Sequence, residues 1–82
     1  MPYIKSEMIR NVINQMVYYR GHLFKKTGNL NYFLFKLAKD ICTNYESYRN
    51  FIGELEAAKL EIYRRQIAPY EDKKIKENGD VE

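Results

Sequence analysis

The 82-residue chain has one cysteine, one histidine, two prolines and no tryptophan. Cys42 alone cannot close an internal disulfide, and one thiol with one imidazole cannot complete the four-ligand shell of a structural zinc site. So little cysteine fits a reducing compartment. No apolar run approaches the roughly 20 residues needed to cross a bilayer, and the opening Met1-Pro2-Tyr3-Ile4-Lys5 lacks the apolar region of a secretion signal. A soluble, cytoplasmic chain with no membrane contact is therefore expected. Also missing are a glycine-rich phosphate loop, a pair of histidines at metal-binding spacing, and a serine or cysteine set beside a base. These absences leave no complete catalytic centre and no cofactor motif, so the expected mode of action is binding without catalysis.

What is present argues for a folded chain. Hydrophobic residues make up 45 % and aromatics 15 %, too rich a mixture for a disordered segment. The length allows one domain, residues 1–82, which buries only roughly 60 % of its unfolded surface. Charge is unevenly placed: residues 1–39 carry seven Lys or Arg against Glu7 alone, net +6, whereas residues 40–82 are net −3. The basic half suits a phosphate or the acidic half of the same chain or a neighbouring copy.

Periodicity predicts an all-α fold, a small bundle of three main helices. The first runs from about Ser6, a suitable N-cap, to Lys26, with Ile9, Val12, Ile13, Met16, Leu23 and Phe24 on one face. Thr27-Gly28-Asn29 reads as its stop. A second helix, from about Tyr32 to Cys42 and capped by Asn29 or Asn31, would complete a helical hairpin; its apolar residues Phe33, Leu34, Leu37, Ala38 and Ile41 again repeat at three and four. After a polar break at Thr43-Asn44, a long helix rich in strong helix formers spans about Ser47 to Ile67. Pro69 ends or kinks it, or else opens a new short helix closed by Asn78-Gly79. Residues 79–82 read as a short tail.

The helical wheel places Arg20 near the centre of the first helix's apolar arc, where a guanidinium needs a carboxylate, a carbonyl or an anionic ligand. In the third helix, apolar residues from Tyr48 to Ile67 cover about half the circumference, with Glu56 and Lys59 inside the arc. Glu56 and Lys59 are able to pair with each other and are natural partners for Arg20 or for a polar ligand. Three short helices offer more apolar face than one thin core hides, so a homo-oligomer is expected. His22 falls on a polar face, and Cys42 reads as a small buried hydrophobe. The eight tyrosines suit a core rim or the stacking of nucleobases. Tyr18-Tyr19-Arg20, Tyr63-Arg64-Arg65, and Tyr70 with Lys73 place rings beside cations.

The opening MPYI, the central NLNY at residues 29–32 and the closing AAKLEIYRRQIAPYEDKKIKENGDV at residues 57–81 resemble a short uncharacterised family from phages and prokaryotes. That resemblance implies kinship without an assigned enzymatic activity. In size, helical content and lack of catalytic residues the chain is also similar to the small helical phage proteins that sequester nucleotide second messengers, including inhibitors of the CBASS and Thoeris systems. That similarity implies an oligomer with ligand pockets between subunits; it transfers no pocket residue.

The resulting expectation is a phage-type anti-defence accessory protein that sequesters a nucleotide signal, a cyclic ADP-ribose-type molecule or a cyclic dinucleotide, without cleaving it. Arg20, Lys59, Arg64 and Lys73 would hold phosphate, Tyr63 or Tyr70 would stack the base, and Glu56 would meet a ribose hydroxyl or base edge. No metal or cofactor is called for. Two alternatives stand beside it: a small nucleic-acid-binding protein, motivated by the basic N-terminal half, and a purely structural oligomer in which Arg20, Glu56 and Lys59 set subunit register.

Overall fold

The computed structural model describes residues 4–81. The protein is all-α, with no strand among the described residues: α1 spans Glu7–Arg20, α2 Asn29–Ile41, α3 Tyr45–Ile62 and α4 Ala68–Asn78. A 3-10 turn, Gly21–Lys25, follows α1, and a π turn, Tyr63–Ile67, joins α3 to α4. The chain divides into two compact units, one up to Phe51 and one from Ile52 onward. The expected opening Met1-Pro2-Tyr3 and the final residue lie outside the described residues.

In the N-terminal unit the capping chemistry fixes the elements. Ser6 adopts an extended backbone and its hydroxyl accepts from Ile9 N–H at 3.3 Å, as an N-cap should. The first helix is shorter than its apolar period suggests: regular α geometry ends at Arg20, whose φ of −126° leaves the helical range, and the chain tightens into the 3-10 turn. The reversal follows at Gly28, at φ 96°, where a side chain would clash with its own carbonyl. α2 begins three residues earlier than its strongest apolar stretch, with Gly28 as N-cap and no side-chain cap. Asn29 is occupied elsewhere, its Nδ2 donating to the Leu23 carbonyl at 2.6 Å, which ties the start of α2 to the 3-10 turn. Across this connection the rings of Phe24 and Phe33 meet with centroids 5.0 Å apart.

α3 begins two residues before Ser47 because Asn44 and Ser47 form a reciprocal capping box. Ser47 N–H donates to Asn44 Oδ1 at 2.8 Å, and the Thr43 and Asn44 amides donate to Ser47 Oγ at 2.9 and 3.0 Å. The turn encloses Cys42, whose thiol faces the Ser47 carbonyl at 3.5 Å. At 8 % exposure Cys42 is the one buried residue among those described, as its reading as a small buried hydrophobe anticipates.

Pro69 does not end the long helix. The chain widens one turn earlier, with Ala68 N–H donating to the Tyr63 carbonyl five residues back, and Pro69 sits in the first turn of α4 where its missing N–H costs least. α4 closes at Gly79, at φ 83°, whose amide caps the Ile75 carbonyl at 2.8 Å. No helix among the described residues is long and apolar enough to cross a membrane.

Candidate functional site

Two surface features gather the residues with binding chemistry, one in each unit. In the N-terminal unit, α1, the 3-10 turn and α2 enclose an open groove of about 940 Å³. Its walls are apolar, from Ile13, Met16 and Val17 on α1 to Leu23, Phe24 and Phe33. Arg20, Asn29, Tyr32 and Lys36 supply its polar groups. The break in helical geometry at Arg20 positions the guanidinium here. It is exposed, which differs from the enclosed position the wheel suggests, because the α1 stripe that would cover it is itself open. Arg20 donates only a long 3.4 Å bond to the carbonyl of Tyr19, and neither Arg20 nor Lys36 pairs with a carboxylate among the described residues.

The second feature lies along the π turn and α4. Tyr63 and Tyr70 line a shallow depression of about 440 Å³ together with Glu71, Asp72 and Lys74. The Tyr63 hydroxyl donates to Glu71 Oε1 at 2.6 Å. That bond to a carboxylate, and the negative charge it brings, hold the Tyr63 phenol above its ordinary value. Lys74 lies over the Tyr70 ring, 5.6 Å from its centroid. Two acids and one lysine make this a poor phosphate seat but a suitable one for hydroxyls or cationic edges.

The remaining candidates are placed as follows. Glu56 and Lys59 pair with each other at 3.4 Å on an exposed face of α3. Glu61 collects two cations, Arg64 at 2.8 Å and Arg65 at 2.9 Å. The hydrogen bond from Arg64, with the positive charges of both arginines, draws the Glu61 carboxyl below its ordinary range despite some desolvation. Arg64, in the π turn, is thus already engaged with the last turn of α3. Lys73 belongs to α4 and is exposed. Tyr63 and Tyr70 are therefore brought together, and Arg20 stands in the groove of the other unit.

Sequence reasoning missed Tyr32 and Lys36 as neighbours of Arg20, although Asn29, Tyr32, Phe33 and Lys36 repeat at three and four on α2. It also missed Glu71 as the partner of Tyr63, since a separation of eight is not a neighbour spacing in a regular helix. Among the described residues no cluster of three His, Cys, Asp or Glu side chains comes together. No curated protein and no solved structure matches the chain. The model of the family described as Domain of unknown function (DUF6899) matches residues 1–81, and the chain belongs to that family.

Proposed function

We propose that the chain is a binding protein without catalytic activity that is completed by association with copies of itself. The observation that carries this reading is burial. Cys42 is the single buried residue among those described, while Met16, Val17, Ile52, Leu60 and Ile62 are all more than half exposed. A helix gains most of its stability from burying its apolar stripe, and open stripes on this scale mark an interaction surface. Sedimentation over a wide concentration range tests the reading: a reversible shift from an assembly to a monomer on dilution, with loss of helical circular dichroism, is expected. A chain that stays monomeric and fully helical at millimolar concentration overturns it.

Within that assembly the ligand is an anionic nucleotide signal of the cyclic ADP-ribose or cyclic dinucleotide class, sequestered in the cytoplasm of the cell in which the protein acts. Arg20, Lys36 and Tyr32 lining one groove support this, because two cations without carboxylate partners among the described residues and an aromatic ring suit a phosphate and a base. Isothermal titration with a panel of such nucleotides is expected to give saturable binding that Arg20→Ala weakens by roughly tenfold, the loss of one charge-assisted contact. No heat with any nucleotide at micromolar concentration overturns it.

The purely structural reading draws on a different observation. Glu56 with Lys59 on α3, and Glu61 of α3 with both Arg64 and Arg65 of the π turn, are ion pairs between near neighbours in sequence, which leaves these side chains little to offer a ligand. Self-association with no nucleotide bound decides in its favour.

A further inference from the structure

The inference rests on the reading of the chain as self-associating and assigns one joint of the assembly. On α3, Tyr45, Tyr48, Ile52, Leu55, Lys59 and Ile62 follow one another at spacings of three, four, three, four and three. That alternation is the core seam of a coiled coil, with Tyr45, Ile52 and Lys59 at one set of seam positions and Tyr48, Leu55 and Ile62 at the other. The pair at the middle, Ile52 with Leu55, is a β-branched and a γ-branched aliphatic side chain, the apolar residue types such a seam holds. No residue of α3 is buried. Ile52 is 64 % exposed and Leu55 37 % exposed, so the seam has no cover of its own.

We propose that this seam pairs with the same seam of a second copy, antiparallel, about a centre between Gly53 and Glu54. Direction follows from the one charged residue in the line. A parallel pair in register sets Lys59 against the partner's Lys59, two like charges in an apolar seam. The antiparallel pair sets each Lys59 against the partner's Tyr48, where an ammonium gains the face of an aromatic ring. The same register places Ile52 against the partner's Leu55 at the centre and Tyr45 against the partner's Ile62 at each end.

The flanks agree with that direction. Arg49 and Glu56 occupy equivalent positions on one flank, seven residues apart. In the antiparallel register Arg49 of each copy faces Glu56 of the other, which exchanges its exposed 3.4 Å pair with Lys59 for the partner's guanidinium, so one charge pair is made twice. Arg49 pairs with no carboxylate within the described chain. On the opposite flank Phe51 faces the partner's Ala58, a large residue against a small one. A parallel pair offers neither match, because it sets Arg49 beside the partner's Asn44 and Glu56 beside the partner's Phe51. A lone lysine in an otherwise apolar seam is a device for fixing register and direction at some cost in stability, and the symmetric joint so formed is isologous.

Disulfide trapping tests direction. In a Cys42→Ser background, chains bearing Tyr48→Cys and chains bearing Lys59→Cys are mixed and oxidised. Eleven residues of helix separate the two positions by roughly 16 Å, too far for a disulfide, whose Cα atoms lie within about 7 Å. The antiparallel joint therefore yields the mixed disulfide dimer and little homodimer of either variant. Homodimers from each variant alone, without the mixed species, overturn it. Charge exchange tests the register: Arg49→Glu and Glu56→Arg singly weaken association on the order of tenfold by setting like charges face to face, and the two together on one chain restore it. Wild-type chains that associate with no response to either charge reversal, and no mixed disulfide, overturn the joint while leaving self-association standing. Wild-type chains that never associate overturn both.

Discussion

The hydroxyl of Tyr63 and the carboxylate of Glu71 meet at 2.6 Å although eight residues separate them. In an unbroken α-helix a separation of eight leaves two side chains about 80° apart around the axis, whereas seven leaves them about 20° apart. The π turn holds one residue more than an α turn, so Glu71 takes up the phase of a seventh neighbour. The contact is a direct product of the wide turn, and it is readable in solution. Tyr63 should titrate above the ordinary tyrosine value of 10.0. Its neutral form is favoured in the folded protein, so this contribution to stability is complete below the unfolded value and lost as pH rises through the raised folded value. Tyrosinate absorbance should show a late component that disappears in Tyr63→Phe and moves down in Glu71→Gln.

Glu61 works with the opposite sign. Its folded value is lowered, chiefly by the hydrogen bond from Arg64. The contribution is present above the unfolded carboxylate value and is lost as pH falls through the lowered folded one. Glu61→Gln should reduce the thermal midpoint slightly near neutral pH and leave it unchanged well below the carboxylate range. The difference should shrink in high salt, since the pairs are exposed and screened. Equal losses at both pH values would sink the assignment.

The capping box at the start of α3 should be worth more than any surface ion pair. Asn44→Ala removes the acceptor of the Ser47 amide, at a cost of about 1 kcal/mol. Chemical denaturation of the wild type and variant at matched protein concentration measures it, because an associating chain changes stability with concentration.

Two glycines should respond with opposite signs to the same substitution. An added methyl at either Gly28 or Gly53 meets no atom within 4 Å, so packing does not decide. Backbone does. Gly28, at φ 96°, should lose roughly 1–2 kcal/mol on conversion to alanine, whereas Gly53 lies inside α3 and should gain roughly 0.5–1 kcal/mol. Thermal midpoints of Gly28→Ala and Gly53→Ala, again at one protein concentration, give the comparison.

Much of the helical layout was legible because it rests on local chemistry. Ser6 as a cap, a left-handed Gly28 between the first two helices, the break at Thr43-Asn44 and the closure at Gly79 are each fixed within a few residues of chain. Where the reading departed from the structure, the deciding contact lay beyond that range or used a less common residue. The α1 wheel assumed one period through Lys26, and the 3-10 turn after Arg20 changed it. The run of strong helix formers after Thr43-Asn44 places the helix start near Ser47, yet the amide and hydroxyl of Ser47 serve the cap at Asn44 from inside a helix that begins at Tyr45. Tyr63 and Tyr70 share a depression as two ring-bearing residues seven apart on a widened helix. Lys36 escaped notice because a lysine on a partly polar face carries no sign of what lies opposite it.

The surplus residue in the π turn also decides where the long stripe of the C-terminal segment points. Counted onward from Ile62 in fours and threes, the line would land on Gln66 and Pro69, an amide and a ring that cannot donate. With one residue added it lands on Ile67 and Tyr70, both exposed. The wide turn is thus a phase corrector: it carries an apolar line across a proline by spending one position, and a chain shortened by a single residue there would turn everything beyond it by about 100°.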